Sequence, residues 1–433
     1  MGRKNMPKRM IALYCSLSLC LAIASSAIAD DWPQWGGPER DIVWRETGIV
    51  DRLPAGDLLP RVWSYPVSEG YSGPAVSEGR VYVTDRIHKD SSERVLSVDA
   101  ETGEEIWKKE YPAQYTVSYP AGPRATPVID EGRVFTVGAV GHLLCMNAAT
   151  GEEIWKKEFQ EDFGTKLPIW GMAASPLVDG QNLITLVGGA DGALVVAFDK
   201  ATGEEKWRAL NDEMIGYAPP VIYEYGGRRQ LIIWHPTAVS ALDPQTGTVL
   251  WEVPWQIKAG LTIPMPRKTG DHLFLTAFYN GPMMLKVSAD SAEIVWKGNS
   301  ENEKDTDGLH SIMPTPWVTD KHIFGVCSYG QLRGLDTATG KRLWETLDAT
   351  GSGRWWNAFI IPHEARFFLH NEQGDLIIAN LSATGYEELS RAKLVEPTRK
   401  VQRRMTIWSH PAFAMQSVFA RNDKELVRVS LAK

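Results

Sequence analysis

The sequence predicts an all-β fold, an eight-bladed β-propeller built from four-stranded blades. One nine-residue segment recurs along the chain. Five copies carry Thr-Gly followed by Trp four residues after the Gly, at residues 99–107, 147–155, 199–207, 243–251 and 336–344. The Trp markers recur about every 47 residues, which is the period of a four-stranded propeller blade. Runs that alternate apolar and polar residues lie between the markers, as is typical of half-buried strands.

The first complete repeat shows how one blade is built. Residues 74–76 form the inner strand, residues 80–85 and 94–99 alternate as second and third strands, and residues 104–110 form the fourth. The Asp-x-x-Thr-Gly segment joins the third strand to the fourth, because Asp folds its carboxylate onto the backbone and Gly supplies the positive φ of the turn. We expect the Trp ring to pack on the neighbouring blade.

The two ends of the chain share the eighth blade in this interpretation. Two copies of the repeat are degraded, at residues 288–296, where Ser-Ala replaces Thr-Gly, and at residues 381–389, where Leu replaces Trp. The last repeat, residues 409–431, lacks a fourth strand, whereas residues 61–66 have the sequence of a fourth strand with Trp63 as its marker. We therefore expect residues 61–66 to complete the last blade and close the ring.

The first 60 residues divide into two further segments. Residues 1–29 are typical of a secretory signal peptide, because basic residues precede an apolar run at 11–24 and a small-residue cleavage site that ends at Ala29. Residues 30–60, rich in Trp, Pro and Gly, predict a leader that lies as a lid across one propeller face, and residues 61–433 form the propeller. We expect an exported protein, periplasmic or extracellular, with no transmembrane segment.

Charge and cysteine content exclude two classes of protein. The whole sequence has a formal net charge of −7, and cleavage after Ala29 removes four basic residues and no acidic one, so we expect no nucleic-acid partner. Only Cys145 and Cys327 follow residue 29, which excludes a disulfide scaffold.

The repeat resembles that of the pyrrolo-quinoline quinone (PQQ) repeat β-propellers, Leu-x-Ala-Leu-Asp-x-x-Thr-Gly-x-x-x-Trp. The resemblance covers residues 61–433, and the opening at residues 31–40 is similar to the start of secreted bacterial members of about this length. The resemblance is a strong indication of the propeller fold and a weak indication of any particular activity. The family contains quinoprotein dehydrogenases, the propeller lipoprotein of the outer-membrane β-barrel assembly machine and members without a known role.

The dehydrogenase members imply a set of parts, namely Ca²⁺ beside the quinone, an Asp base, a Trp under the ring and a vicinal Cys-Cys disulfide. This chain has no adjacent cysteines and no Cys-x-x-Cys-His haem site. About 50 residues per blade also leave no room for the insertions that surround the cofactor. The sequence therefore assigns no cofactor, while the resemblance allows PQQ and calcium.

The candidate ligand site is the mouth of the central channel, where the loops that lead into the innermost strands meet. Aligning the repeats on these loops collects ten residues: Tyr71, Arg124, Trp170, Tyr217, His310, Trp355, Trp356, Asn357, Trp408 and His410. Aromatic walls with a few cations suit stacking on a planar or sugar-like ligand and neutralising an anion. In the alternative interpretation these residues plug the channel and join adjacent blades.

Other motifs assign no chemistry. Residues 303–308 alternate oxygen-bearing side chains before a final Gly, as calcium loops do, but Pro314 stands where the bidentate acid is due, which favours a solvated acidic loop. The basic cluster 398–404 suits an acidic partner or a phosphate and is equally typical of solvated surface. The histidines lack metal-ligand spacing and no nucleophile elbow occurs, so we predict no metal site and no catalytic residue.

Three functions fit these observations. The first is a non-catalytic binding or scaffolding module of the cell envelope; the second is a quinoprotein-type oxidoreductase, similar to alcohol dehydrogenases, that binds PQQ and calcium in the central funnel; the third is a carbohydrate- or polymer-binding propeller. We favour the first, because the sequence contains no recognisable catalytic equipment. The expected partner is an envelope protein or a small-molecule or polymer ligand. We expect a monomer, because a closed ring requires no dimer.

Overall fold

A computed structural model describes residues 1–2, 31–54, 56 and 58–433, so the predicted signal peptide lies, apart from its first two residues, outside the described residues. Eight four-stranded antiparallel sheets form an eight-bladed β-propeller, which confirms the predicted fold class. Within the described ranges the one α-helix, α1, is Phe159–Phe163, and no helix is long and apolar enough to cross a membrane.

In blades one to seven the strands follow chain order, and the first strand of each blade is the innermost. The bounds in the first half of the ring are β1 Trp63–Pro66, which belongs to blade eight; β2 Ala75–Ser77, β3 Arg80–Ile87, β4 Ser92–Asp99 and β5 Glu105–Pro112 in blade one; β6 Val128–Asp130, β7 Arg133–Val137, β8 His142–Asn147 and β9 Glu153–Glu158 in blade two; β10 Leu177–Asp179, β11 Asn182–Leu186, β12 Val195–Asp199 and β13 Glu205–Ala209 in blade three; and β14 Val221–Tyr225, β15 Arg228–His235, β16 Ala238–Leu242 and β17 Val249–Pro254 in blade four. The second half contains β18 Arg267–Thr269, β19 His272–Ala277, β20 Gly281–Val287 and β21 Ala292–Lys297 in blade five; β22 Trp317–Val318, β23 His322–Val326, β24 Leu332–Asp336 and β25 Arg342–Thr346 in blade six; β26 Ala358–His363, β27 Arg366–Asn371, β28 Asp375–Ser382 and β29 Gly385–Lys393 in blade seven; the separate hairpin β30 Arg399–Val401 and β31 Arg404–Thr406; and β32 Ala412–Ala414, β33 Ser417–Arg421 and β34 Glu425–Ser430 in blade eight.

Antiparallel pairing gives the channel two different ends. The mouth end is the one at which loops lead into the innermost strands, and the turn end is the one at which Asp-x-x-Thr-Gly turns join third strands to fourth strands. In blade one, Asp99 Oδ1 accepts hydrogen bonds from the backbone N–H groups of Glu101 and Thr102 at 2.9 and 2.8 Å, and Gly103 has a φ of +74°. The predicted turn chemistry is confirmed.

Most blades contact the next through the Trp of the outermost strand. Trp107 donates its indole N–H to the Ala148 carbonyl of blade two at 2.9 Å, and its ring lies so close to Gly151 that an added Cβ would come within 2.5 Å of it. Trp251 instead donates to Gln230 of its own blade at 2.6 Å, and the next blade lacks the Thr-Gly pair. The Trp-on-Gly contact recurs at four other markers, Trp63, Trp155, Trp207 and Trp296.

The ring closes as the sequence predicts. Strand β1 pairs antiparallel with β34, with Trp63 opposite Arg428, so an N-terminal strand completes the C-terminal blade. Arg61 forms an ion pair with Glu425 within this blade. Trp63 also donates its indole N–H to the Ala100 carbonyl at 2.9 Å, which joins blade eight to blade one.

The described part of the predicted lid segment lies along innermost strands. Trp32 pairs with Val76 of blade one through backbone hydrogen bonds of 2.8 and 2.9 Å, and the carbonyl after it accepts from Ile129 of blade two at 2.9 Å. Farther along the chain, the Trp44 N–H donates to the Pro362 carbonyl of blade seven at 2.9 Å. Between these two points Arg40 reaches blades three and four, on the other side of the ring from blades seven and eight, so the segment crosses the channel.

Arg40 fixes this segment to blades three and four. Its buried guanidinium donates to the carbonyls of Ser175, Pro176 and Pro220 at 2.9 to 3.1 Å. Burial lowers the pKa of Arg40 to about 9, because the charged form loses hydration. The carbonyl oxygens replace part of that hydration, and a single side chain thereby joins two inner strands.

Candidate functional site

The mouth end of the channel holds a cavity of about 260 Å³. The loops that form it lead into the innermost strands of all eight blades, in line with the repeat alignment. Seven of the ten residues that the sequence singles out line this cavity: Tyr71, Arg124, Trp170, Tyr217, Trp355, Trp408 and His410. Ligand binding by these residues stays a prediction.

Aromatic rings form most of the cavity wall. The Trp408 ring lies 6.2 Å from that of Tyr71, with 29° between their planes, and 5.8 Å from that of Tyr119. Trp170 meets Tyr217 edge-on at 5.9 Å. Of these five rings only Tyr217 is buried, and the other four are half-exposed. Covering half-exposed rings with a ligand removes apolar surface from water, which favours binding.

Trp35 of the leader also lines the cavity. Gly36 and Gly37 follow it with φ values of +77° and +79°, which let the backbone turn back sharply. The Trp35 ring meets the His410 ring edge-on at 4.4 Å. Its indole N–H is buried and has no hydrogen-bond partner among the described residues.

Arg124 supplies positive charge to the cavity, and the lining otherwise contains no Lys or Arg among the described residues. Its guanidinium donates to the carbonyls of Ser118 and Tyr119 at 3.1 and 2.7 Å and to that of Gly122. It lies 5.0 Å from the centroid of the Tyr71 ring. Burial lowers the pKa of Arg124, and in the described part of the chain it forms no ion pair with a carboxylate.

His410 is a neutral member of the wall. Burial lowers its pKa to about 4, because the imidazolium form loses hydration. Its Nε2 lies 2.6 Å from the hydroxyl of Thr126. The ring therefore offers a polar but uncharged surface at neutral pH.

A buried carboxylate supports the wall from behind. Glu372 accepts hydrogen bonds from the indole N–H of Trp408 at 3.1 Å and from the amide of Asn357 at 3.2 Å, and it forms an ion pair with Arg404. Burial raises the pKa of Glu372, and Arg404 opposes that rise. The carboxylate is thus fully engaged in orienting Trp408.

Two wall residues, Tyr119 and Trp355, have left-handed φ values of +53° and +71°. Bulky side chains rarely adopt this conformation because it costs free energy. Trp355 is held there by a hydrogen bond from its N–H to the Ser328 carbonyl at 2.9 Å. Its neighbour Arg354 donates to the Tyr279 hydroxyl at 2.9 Å, which fixes a further wall residue.

Three of the residues predicted from the sequence lie outside the cavity lining: His310, Trp356 and Asn357. His310 is buried beside Phe278, whose carbonyl lies 3.2 Å from Nδ1. The Trp356 ring packs against Gly351, and Asn357 faces Glu372. The Trp355–Trp356 pair therefore presents one ring to the cavity, and the alignment of repeats could not resolve such differences of one residue.

The cavity residues do not fit a calcium-bound quinone. Ca²⁺ takes about six to eight oxygen ligands, whereas the lining contains no Asp, Glu, Asn or Gln among the described residues. Glu372, behind the wall, is already paired with Arg404. Across the described ranges, no group of three or more His, Cys, Asp or Glu side chains could hold a metal ion.

The two charged motifs of the sequence take part in ion pairs within the protein. In the acidic loop 303–308, Glu303 pairs with Arg354 at 3.3 Å. In the basic cluster 398–404, Arg399 pairs with Asp423 and Arg404 with Glu372. The arginines of the cluster are thus only partly available to an external partner.

A hydrogen-bonded Asp-His-Ser series occurs in blade four, away from the cavity. His235 Nδ1 lies 2.7 Å from Asp212 Oδ2, and His235 Nε2 lies 3.1 Å from Ser240 Oγ. This order resembles a nucleophilic triad, but Ser240 is fully buried and its hydroxyl donates to Glu252 at 2.9 Å. With no access for a substrate, the series serves to join strands.

The sequence analysis did not identify several residues of the site, among them Trp35, Tyr119, Tyr279 and Glu372. Tyr279 follows β19, and because the second and third strands of a blade also meet at the mouth end, loop topology could have indicated it. Trp35 stands before Gly-Gly in the leader, which signals a tight turn but not its position in the channel. Nothing local distinguishes Glu372 from other acidic residues.

The chain matches the profile of a family described as outer membrane protein assembly factor BamB, over residues 60–122, 91–232 and 236–432. It is 26% identical over 312 residues to the outer membrane protein assembly factor BamB of Burkholderia pseudomallei (strain K96243), an alignment that covers 69% of this chain and 71% of the relative.

Solved structures share the fold. BamB from Moraxella catarrhalis has a TM-score of 0.58 at 16% identity and covers 86% of this chain and 97% of its own. The quinohemoprotein alcohol dehydrogenase from Comamonas testosteroni has a TM-score of 0.61, also at 16% identity, and covers 93% of this chain and 80% of its own. At these identities the similarity shows the propeller fold alone.

Proposed function

Because the chain belongs to the family described as outer membrane protein assembly factor BamB, we propose that it is a non-catalytic binding scaffold of the cell envelope. The name of the Burkholderia pseudomallei relative supports an envelope role, and residues 1–29 predict export. The proposed location is the periplasm or the extracellular space, and the proposed state is a monomer that binds an envelope protein.

The lining of the mouth-end cavity carries the non-catalytic part of this proposal. Catalysis requires a nucleophile or a proton acceptor that faces the reacting atom. The ionisable groups of the described lining are Arg124, His410 and tyrosines. Arg124 is held by backbone carbonyls, and the His410 Nε2 is engaged by Thr126. The wall therefore suits binding better than chemical conversion.

The half-exposed aromatic rings favour ligand binding as an alternative role. A PQQ-dependent oxidoreductase or a carbohydrate-binding propeller would stack its ligand on these rings. Both functions would depend on Trp355 and Arg124, whereas a scaffold would depend on loops outside the cavity. Substitution of these two residues therefore separates the alternatives from the scaffold.

Photo-crosslinking in the native host tests the scaffold. A photoreactive residue is placed at the exposed mouth-end positions Gln114 and Glu301 and at the exposed turn-end positions Glu204 and Lys341. We expect a discrete adduct with one envelope protein from one end of the channel, and the same adduct in a Trp355→Ala background. Absence of a discrete adduct from both ends would contradict the proposal.

Purified residues 30–433 provide the enzymatic control. The protein is titrated with PQQ in the presence and absence of Ca²⁺ while Trp fluorescence and the melting temperature are followed, because specific binding raises the melting temperature. Alcohols and an artificial electron acceptor are then added. Alcohol-dependent, PQQ-dependent reduction of the acceptor would overturn the non-catalytic function.

A further inference from the structure

We infer that the mouth-end cavity binds a small aromatic monocarboxylate, a molecule of one or two fused rings with a single carboxylate. This goes beyond the scaffold function, because a surface that holds an envelope protein requires no aromatic cavity. It rests on the proposed function only in that the cavity binds the ligand without converting it.

The size and surface of the cavity set the ring system. An engineered protein cavity of about 150 Å³ holds benzene, so a cavity of about 260 Å³ accommodates one or two fused rings. The wall can stack on a flat ligand, because most of its aromatic rings are left half-exposed, among them Tyr71, Tyr119, Trp170, Trp355 and Trp408. Planar aromatic ligands gain most from such a wall, since they bury apolar area on both faces.

The charge of the cavity sets the number of carboxylates. Arg124 lines the wall without a carboxylate partner in the described part of the chain. Three neighbouring cations, Arg354, Arg399 and Arg404, already form ion pairs. Lys258, outside the lining, has its Nζ 4.6 Å from the centroid of the Tyr279 ring. His410 is neutral in the folded protein. Arg124 is thus a cation without a carboxylate partner in an apolar wall, and such a cation attracts one anionic group.

The few polar groups of the wall disfavour more polar ligands. The Thr126 hydroxyl is engaged by His410 at 2.6 Å, and the Ser175 hydroxyl accepts from the Thr126 N–H at 2.9 Å. A sugar would bury several hydroxyls without partners. A tricarboxylate would leave two of its charges uncompensated beside aromatic rings. An aryl monocarboxylate incurs neither cost.

Isothermal titration calorimetry on purified residues 30–433 tests the inference with three probes that share one ring system. These are 2-naphthoate, its uncharged analogue 2-naphthamide, and 2,6-naphthalenedicarboxylate. We expect saturable binding of 2-naphthoate that is about tenfold tighter than that of either other probe, because only it pairs one charge with Arg124.

Two arginines on the Tyr71 ring provide matched variants. Arg124→Met should remove the preference for 2-naphthoate over 2-naphthamide, and Arg124→Lys should retain it because the cation remains. Arg399 also lies over Tyr71, 4.7 Å from the ring centroid, but it is paired with Asp423. Arg399→Met should therefore leave the preference unchanged. Melting curves confirm that each variant is folded.

Each result decides a separate point. No saturable binding, equal affinity for naphthoate and naphthamide, or an unchanged preference in a folded Arg124→Met variant would overturn the inferred site. Tighter binding of the dicarboxylate or of PQQ than of 2-naphthoate would overturn the single-carboxylate assignment. Proton NMR of the ligand after incubation with an electron acceptor should show no conversion, and conversion would overturn the non-catalytic function while leaving the site in place.

Discussion

The indole rings of Trp355 and Trp408 stand nearly perpendicular, with 79° between their planes and 6.5 Å between their centroids. The two residues come from the loops before blades seven and eight, and both are tied to the same carboxylate. Glu372 accepts from the Trp408 indole directly, and it accepts from the Asn357 amide, which also donates to the Trp355 carbonyl. One buried acid thus sets the relative orientation of two wall residues.

We expect Glu372→Gln to lower the free energy of unfolding by about 3 kcal/mol, because it leaves Arg404 without its buried counter-charge. Urea denaturation followed by Trp fluorescence measures the loss. Glu364→Gln on the same blade, at an exposed position, serves as the control and should change stability little. A Glu372→Gln protein as stable as the control would show that the carboxylate is not required for the wall.

Substitution of two glycines in blade two measures how much the packing of Trp107 on Gly151 contributes to stability. Gly151 and Gly132 have φ values of +74° and +71°, but an added Cβ would meet the Trp107 ring at 2.5 Å only at Gly151 and would meet nothing within 4 Å at Gly132. We expect Gly132→Ala to cost about 1 kcal/mol of unfolding free energy from backbone strain, and Gly151→Ala about 3 kcal/mol. Equal costs, measured by denaturant melts, would mean that the ring moves aside freely.

Removal of residues 420–433 should open the ring. The deletion takes away β34 and with it the pairing to β1, which leaves blade eight incomplete. We expect the cooperative thermal transition to be lost or strongly lowered, as calorimetry would record. A truncated protein that melts at the same temperature as the full chain would refute closure through the shared blade.

Acid should destabilise the protein at pH values well above those at which carboxylates titrate. Burial lowers the pKa values of His370 and His410 from 6.5 to about 4. Their stabilising effect is therefore full above pH 6.5 and is lost as the pH falls towards 4, because the unfolded chain binds the protons first; at pH 5 the loss is about 2 kcal/mol per histidine. Denaturant melts between about pH 7.5 and 5 measure this slope.

A variant of one histidine tests the assignment of that slope. His370→Asn should reduce the pH dependence of the unfolding free energy by the share of that ring, whereas the control His88→Asn, at an exposed position, should leave it as it is. If the His370→Asn variant retains the full slope, the assignment of part of that slope to His370 is wrong.

The fold could be predicted because its signals are local and repeated. Asp99 and Gly103 form one turn, and Trp107 contacts the next blade. The same residue types recur in the other copies of the repeat, so each copy predicts the same turn and contact. Ring closure also followed from the sequence, since Trp63 carries the marker without the strands that precede it elsewhere.

The site was only partly predictable because its wall depends on distant contacts. The repeat alignment reached the loops of Arg124 and Trp408, but the choice between Trp355 and Trp356 depends on a left-handed φ that the sequence does not signal. Trp35 enters the cavity through the path of the leader, and Glu372 supports the wall from behind while it pairs with Arg404, 32 residues later in the sequence. Such contacts join residues that share no local pattern.

The crossing of the channel by the leader fixes the order in which the protein can complete its folding. Trp44 packs on Phe413, and Arg61 pairs with Glu425, 364 residues later in the sequence. Contacts of such long sequence separation form slowly, because a large loop must close first. In a chain that emerges N-terminus first, the earliest segment is therefore among the last to find its partners. A chain that ends before blade eight keeps an unpaired sheet edge and lacks the leader's contacts with that blade, so it stays prone to aggregation and proteolysis until synthesis is complete.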